Sequence, residues 1–208
     1  MPRKTTIISG FAIIMHLVLF PTMHFATAEE EFPVELFGLD VAGGDEAGHD
    51  PWREGIYASH YGGIKGKKYY GCLGNLLKPK EDYFVALPAK EDSLDCLDGL
   101  LRLRIDDDTA AFRVIEIKLH GEDGPVFEAT VEDIGPWYCG DDTYWVTDTR
   151  PEAEDGMDAK GRQTNKAGID LSLRLAKDLG INGIGQVDWR FKKVDGEYVF
   201  VEKETQFR

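Results

Sequence analysis

VEDIGPW at residues 131–137 and AGIDLS at residues 167–172 are the two segments that decide the fold of this chain. Each places an aspartate, Asp133 or Asp170, at the end of a short apolar run beside a turn-forming glycine. In a β-rich domain such a position carries a side chain from a strand end to a surface cleft. We therefore expect both carboxylates to face a cleft.

Short segments rich in β-branched and aromatic residues surround these two motifs, and Gly, Pro and Asp separate them. This rhythm predicts an all-β fold, in which a closed barrel or a sandwich removes exposed strand edges. The predicted strands before the second motif are Ile56–Tyr61, Tyr83–Leu87, Leu100–Ile105, Phe112–Leu119 and Phe127–Val131.

One short helix is expected after the second motif. Ser172 is a suitable N-cap, Gly180 supplies a stop, and apolar residues between them recur at helical spacing, so that one face can close a barrel. The sequence after the helix predicts a C-terminal hairpin, in which an Asp195-Gly196 turn joins residues 186–193 and 197–201.

The amino terminus predicts a signal peptide over residues 1–28. Arg3 and Lys4 precede an apolar run, residues 7–20, that is short for a bilayer span, and Ala26-Thr-Ala28 is a small-x-small cleavage site. A retained membrane anchor is the alternative. With the signal removed we expect a secreted or periplasmic protein without a stable membrane anchor.

The remaining chain divides into an acidic flexible leader, residues 29–54, and one domain, residues 55–208, with a long acidic loop at 140–165. The net charge of the whole chain is −14. Such a charge repels nucleic acid phosphates and anionic lipids, so nucleic acid is excluded as a partner, whereas neutral glycans, cations or basic proteins fit. The acidity also fits a role in solubility alone. We expect a monomer.

Three cysteines, Cys72, Cys96 and Cys139, enter an oxidising compartment, where one disulfide and one remaining thiol are expected. Their spacing matches no zinc-ligand pattern, so we predict no metal site and no cofactor. The spacing alone leaves the disulfide pairing open.

The acidic loop leaves two interpretations open. Its oxygen ligands could bind calcium, although their spacing does not reproduce an EF-hand, or it is a solvated loop that borders a binding site. Aromatic residues flank it, and they suit either a glycan groove or core packing. These residues are Trp137, Tyr138, Tyr144 and Trp145.

Four elements in order make the chain resemble the double-psi β-barrel group of rare lipoprotein A, the expansins and the barwin-like endoglucanases. The similar elements span about residues 56–191 and are Ala58-Ser-His-Tyr-Gly62, Gly71-Cys-Leu-Gly-Asn75 with Val85-Ala-Leu-Pro88, Asp133-Ile-Gly-Pro-Trp137, and Ile169-Asp-Leu-Ser172. The resemblance implies a six-stranded double-psi β-barrel with a short helix and a C-terminal hairpin.

The resemblance also implies roles. Asp170 takes the place of the endoglucanase general acid, Asp133 matches the second aspartate of the barrel loops, and Ser59 and Tyr61 match positions on the groove floor. It favours a disulfide between Cys72 and Cys96. Two family features are missing, since no His follows Ala86 and the endoglucanase base near the opening motif is absent.

Glycoside cleavage needs a carboxylic acid that stays protonated near neutral pH, and a second carboxylate nearby can raise the pKa of the first. This requirement, together with the resemblance, predicts catalysis by Asp170 and Asp133. The resemblance implies substrate binding by Ser59 and Tyr61, and the aromatic residues beside the loop add Trp137, Tyr144 and Trp145 as predicted binding residues. The aspartates could instead cap turns, where backbone N–H donors lower their pKa.

Three function classes remain. The first is a lytic transglycosylase-like or glycoside hydrolase enzyme acting on cell-wall polysaccharide. Peptidoglycan is favoured because the resemblance implies a reaction in which the attacking hydroxyl belongs to the substrate. The second is an expansin-like polysaccharide-binding or wall-loosening module without catalysis. The third is a secreted interaction protein that uses the acidic loop.

Overall fold

β-strands make up most of the secondary structure in the computed structural model, which describes residues 49–88, 102–106, 108–137 and 149–205. Besides the strands, these ranges contain one α-helix, α1 (Leu173–Asp178), and one 3-10 turn, Glu152–Asp155. The strands are β1 (Arg53–Tyr61), β2 (Tyr69–Tyr70), β3 (Leu76–Leu77), β4 (Phe84–Leu87), β5 (Arg102–Arg104), β6 (Thr109–Leu119), β7 (Phe127–Ile134), β8 (Ile169–Ser172), β9 (Gly185–Phe191), β10 (Lys193–Val194), β11 (Glu197–Tyr198) and β12 (Phe200–Glu204).

Six strands close into a barrel. Their order is β6-β7-β4-β8-β1-β9, and β9 pairs again with β6. Two of the pairs are parallel, β1 with β8 and β4 with β7, while the remaining pairs are antiparallel. Both parallel pairs join strands that are distant in the chain. The predicted all-β, six-stranded double-psi β-barrel is confirmed.

Strand β6 is long enough to belong to two sheets. Its second half, from Val114 onward, lies in the barrel between β7 and β9. Its first half, residues 109–113, extends beyond the barrel and pairs with β5 on one side and β12 on the other. This extension buries Phe112 in a small second cluster with Leu73 and Ala110.

The C-terminal hairpin is present but shorter than its sequence predicts. Only β10 and β11 pair across the Asp195-Gly196 turn. Strand β9 pairs with β1 and β6 instead, because its alternate residues Val187, Trp189 and Phe191 are buried in the barrel core. Burial of these side chains in the core stabilises the fold more than pairing in a longer isolated hairpin would.

The helix begins and ends where the sequence predicts. The Ser172 hydroxyl accepts a hydrogen bond from the backbone N–H of Leu175, as an N-cap does. At the other end Gly180 has a φ of 77°, and its N–H donates to the carbonyl of Lys177. Leu175, together with Ala176 and Leu179, packs into the barrel core, so α1 covers one end of the barrel.

The barrel begins before the predicted domain start, because β1 starts at Arg53. The Arg53 guanidinium donates to the carboxylate of Asp50 at 2.8 Å and stacks on the Trp189 ring at 4.6 Å. Asp50 itself is 2% exposed and also accepts from the backbone N–H of Phe191. These contacts order the end of the predicted leader. The rest of the leader and the predicted signal peptide lie outside the described residues.

Cys72 is disulfide-bonded, as the cysteine count predicts. The family resemblance favours Cys96 as its partner, and both Cys96 and Cys139 lie outside the described residues. No helix within the described ranges combines the length and the hydropathy that a membrane span requires.

A buried carboxylate joins the β2–β3 hairpin to the barrel. Glu132, in β7, is 3% exposed and accepts from the Asn75 side-chain amide at 2.9 Å and from the Lys203 ammonium. A buried charge is tolerated only when it is paired in this way. The hairpin also packs closely here, because a Cβ on Gly71 would lie 2.4 Å from the Glu132 carbonyl oxygen.

Gly71→Ala should therefore destabilise the protein by about 1–3 kcal/mol, the usual cost of forcing extra atoms into a packed site. The free energy of unfolding from urea titration with the disulfide intact measures this. Gly124→Ala is the matched control, since nothing lies within 4 Å of its added Cβ. A loss of stability at Gly71 no larger than at Gly124 would contradict the close packing.

Candidate functional site

Strand register places the two predicted catalytic aspartates on one outer face of the barrel. Asp170 in β8 lies opposite Ser59 of β1 and opposite Ala86 of β4. Asp133 in β7 lies opposite the same Ala86 from the other side. Residues paired across strands point to the same face, and two strand spacings separate the aspartate Cα atoms by roughly 10 Å. Both carboxylates therefore lie on the same outer face of the barrel, and we call the surface between them the groove.

Asp170 is directed outward because its neighbours in the strand are directed inward. Ile169 and Leu171 are both fully buried in the barrel core. Side chains alternate along a strand, so the residue between them must face away from the core. The carboxyl group still remains largely covered by surrounding side chains, which gives it an environment of reduced solvation.

Reduced solvation gives Asp170 a carboxyl group with an unusual affinity for protons. Burial raises the pKa of Asp170 above its ordinary value, while a hydrogen bond from the Ser59 hydroxyl and the charge of His60 lower it in part. The raising effect is the larger one. Asp170 can therefore hold a proton at a higher pH than an exposed aspartate and give it to a bound group.

Asp133 has a different environment. Its Oδ2 accepts a hydrogen bond from the Tyr61 hydroxyl at 3.3 Å, and its Oδ1 accepts from the backbone N–H of Ile134 at 2.9 Å. Burial and the nearby charges of Asp133, Asp170 and Glu132 raise the pKa of Tyr61. The phenol therefore stays protonated and acts as a donor between the two carboxylates.

The sequence argument expects the second carboxylate, Asp133, to raise the pKa of Asp170. In the structure, burial of Asp170 is the largest cause of its raised pKa. The charges of both aspartates also raise the pKa of Tyr61.

Asn165 is a site residue that sequence reasoning missed. Its side-chain amide donates to the Ser59 hydroxyl at 3.2 Å, while its carbonyl accepts from the Trp137 indole N–H at 2.8 Å and from the backbone N–H of Ala167 at 3.1 Å. An asparagine in a polar loop carries no sequence signal for such a role. It orients Ser59, and through Ser59 it orients Asp170.

Of the three aromatic residues beside the loop that are predicted to bind substrate, the structure describes only Trp137. Its backbone has a φ of 65°, a conformation that L-residues adopt only where their surroundings require it. The bond to Asn165 brings the indole to the groove beside Ser59. Tyr144 and Trp145, also predicted to bind substrate, lie outside the described residues.

The second half of the acidic loop is held by ion pairs. The Asp158 carboxylate accepts from the Arg162 guanidinium and from the backbone N–H of Lys160 and Arg162. The Glu154 carboxylate accepts from Arg150 and from the backbone N–H of Tyr57, so it ties the loop to β1. Across the described residues, no three His, Cys, Asp or Glu side chains group as metal ligands.

Comparisons with known proteins add little to this geometry. No protein-family model matches the chain, and no curated protein matches it. Among solved structures, the chain is similar to the Streptomyces papain inhibitor, with a TM-score of 0.37 and 17% sequence identity over 70% of this chain and 97% of that one. A likeness of this degree carries no inference about function.

Ser59→Ala should raise the pKa of Asp170 further, because the variant removes a hydrogen bond that stabilises the carboxylate. A titration of the aspartate carboxyl carbons by NMR measures this. Tyr61→Phe is the control, since its hydroxyl donates to Asp133 and not to Asp170. An unchanged or lower Asp170 pKa in Ser59→Ala would contradict the assigned bond.

Asp170→Asn should stabilise the protein at neutral pH. Since burial raises the folded-state pKa of Asp170, its charged form is less favourable in the folded state, and stability falls as pH rises above the unfolded-state pKa of about 3.9. The gain in the free energy of unfolding should be present at pH 7 and shrink toward pH 3, where both forms are neutral. Urea titrations at both values measure it.

The control for this effect is Asp195→Asn, which removes the same charge from an exposed turn. If both variants gain the same stability at pH 7, loss of net charge explains the effect, and the burial of Asp170 does not.

Proposed function

We propose that this protein is a secreted or periplasmic enzyme that cleaves cell-wall glycan, with peptidoglycan favoured, in the manner of a lytic transglycosylase. One observation carries the proposal: Asp170, a covered aspartate with a raised pKa, lies on the outer face of the barrel and is oriented by Ser59 and Asn165. A general acid for glycosidic cleavage requires this combination of access and proton affinity.

In this proposal Asp170 protonates the glycosidic oxygen as the bond to the sugar C1 breaks. A hydroxyl of the same muramic sugar attacks C1 and forms an anhydro ring, and its proton passes to the Asp170 carboxylate. The acid is thereby regenerated, and water is not consumed. One well-placed carboxyl group is sufficient for this reaction.

The surroundings of Asp133 favour a supporting role. The Tyr61 hydroxyl and the Ile134 N–H already donate to its two oxygens, so the carboxylate is oriented and satisfied. A carboxylate held in this state provides negative charge next to the positive charge that develops on the sugar ring. Tyr61 and Trp137 offer ring surfaces on which sugar faces can stack.

An expansin-like module that binds wall polysaccharide without cleaving it is the second candidate. The same groove and the same aromatic rings would serve it, and the raised pKa of Asp170 would then have no chemical use. Product formation separates the two candidates.

Incubation with purified peptidoglycan, followed by mass spectrometry of the soluble products, tests the proposal. The parent protein should release anhydro-muropeptides, and Asp170→Asn should release them about 10²–10⁴-fold more slowly, because a general acid contributes about that factor. Asp195→Asn should match the parent, because Asp195 lies in the remote β10–β11 turn with a φ of 53°, which asparagine also adopts.

Several outcomes would count against the enzyme. Equal rates for the parent and Asp170→Asn would remove Asp170 from the chemistry. Products with free reducing ends would indicate attack by water. No product, with the protein retained on the wall material, would favour the binding module.

A further inference from the structure

A basic segment stands out in this acidic chain. The sequence has 38 acidic residues against 24 Lys and Arg, yet none of the acidic residues lies between Gly55 and Lys80. Five lysines fall in that segment from residue 65 onward. They are Lys65, Lys67, Lys68, Lys78 and Lys80.

The fold gathers these five lysines around one cavity of about 280 Å³, which we call the lysine pocket. The loop after β1, the β2–β3 hairpin and the turn after β3 form its walls. All five lysines line it and are exposed, and Glu81 is the one acidic residue among the residues that line it.

The positive charge of the pocket is not neutralised by the protein within the described residues. No salt bridge there involves any of the five lysines, although Lys67 lies over the Tyr69 ring at 5.0 Å. Ammonium groups gathered in this way repel one another, and a bound anion relieves that repulsion.

The pocket also offers apolar surface. The Ile64 and Leu76 side chains are 64% and 51% exposed, and both residues line the cavity beside the lysines. Sugar rings combine apolar C–H faces with polar edges, so a surface of this mixed kind suits a glycan that carries anionic groups. A bare inorganic ion would leave the apolar part unused.

Two tyrosine rings connect the lysine pocket to the groove at Asp170. Tyr69 lines the pocket and packs edge-on against Tyr61, with ring centroids 6.4 Å apart. The hydroxyl of Tyr61 donates to Asp133 on the groove. Contacting side chains therefore join the two places.

We propose that the lysine pocket binds the anionic groups, carboxylate or phosphate, of an acidic wall glycan whose strand continues into the groove at Asp170. The second half of this statement rests on the proposed function, and the first half does not. The local charge also modifies the expectation from net charge, which alone disfavours anionic partners.

The test measures binding of the full chain to insoluble peptidoglycan at low and at high salt, with the triple variant Lys65→Gln, Lys67→Gln and Lys68→Gln. Three exposed charge contacts together should weaken binding on the order of tenfold at low salt, and the difference should shrink at high salt. The control neutralises Lys160, Lys192 and Lys193, none of which lines the pocket. It should bind as the parent does.

Treatment of the wall material identifies the anion. Amidation of its carboxyl groups, or removal of its phosphate polymers, should abolish the difference between the parent and the triple variant, and whichever treatment does so names the group. Chitin, a neutral glycan, should show no difference.

Three results would overturn the proposal: equal loss of binding in the control variant, an unchanged difference after both treatments, or tighter binding to single-stranded DNA than to the wall glycan at the same salt. Failure of the enzyme proposal is distinguishable, because Asp170→Asn would then leave product formation unaffected while the binding results still stand.

Discussion

The alternation of core and surface residues in β8 is the constraint on which the site depends. Ile169 and Leu171 are fully buried on one side of the strand, and Asp170 lies between them on the other side. A register shift of one residue would exchange the two sides and bring a carboxylate into the apolar core, at a cost far above what any local contact supplies. Core packing therefore holds Asp170 opposite Ser59 and Ala86, and the position of this carboxyl group is a consequence of barrel stability.

The lysine pocket depends on a second buried group. Glu132 lies next to Asp133 in β7 and receives hydrogen bonds from Asn75 and Lys203, so it holds the β2–β3 hairpin against the barrel. Val131 packs in the barrel core, so alternation turns Glu132 to the opposite side of β7, where the Thr130 hydroxyl also donates to it. The register of β4 and β7 then shifts, and Asp133 pairs with Ala86. Adjacent residues of one motif thus serve two purposes, since one fixes the hairpin that carries the basic segment and the other faces the groove.

Local sequence patterns predicted the secondary-structure elements well, because these elements depend on short-range interactions. The Ser172 cap, the stop at Gly180 and the strand around Asp170 all follow from short-range preferences and from core alternation. The contacts of Asn165 could not be predicted, since they join it to Ser59, 106 residues away in the chain. The lysine pocket was not predicted, because the net charge averages over the whole chain. The absence of acidic residues from Gly55 to Lys80 could have indicated it. The hairpin was predicted to be too long, because its local sequence pattern does not show that β9 pairs within the barrel.

The states of the groove's hydroxyl and carboxyl groups favour chemistry that needs a single carboxyl group. Tyr61 keeps its proton because its pKa is raised, so it cannot act as a base, and it occupies one oxygen of Asp133. Activation of water by a second carboxylate would require Asp133 to take up a proton. Attack by a hydroxyl of the substrate avoids this step, because Asp170 can return to its protonated form by taking the proton of the attacking group. Among the described residues, the arrangement therefore fits the proposed reaction, in which Asp170 acts first as an acid and then as a base. It fits less well a mechanism that divides these two roles between two carboxylates.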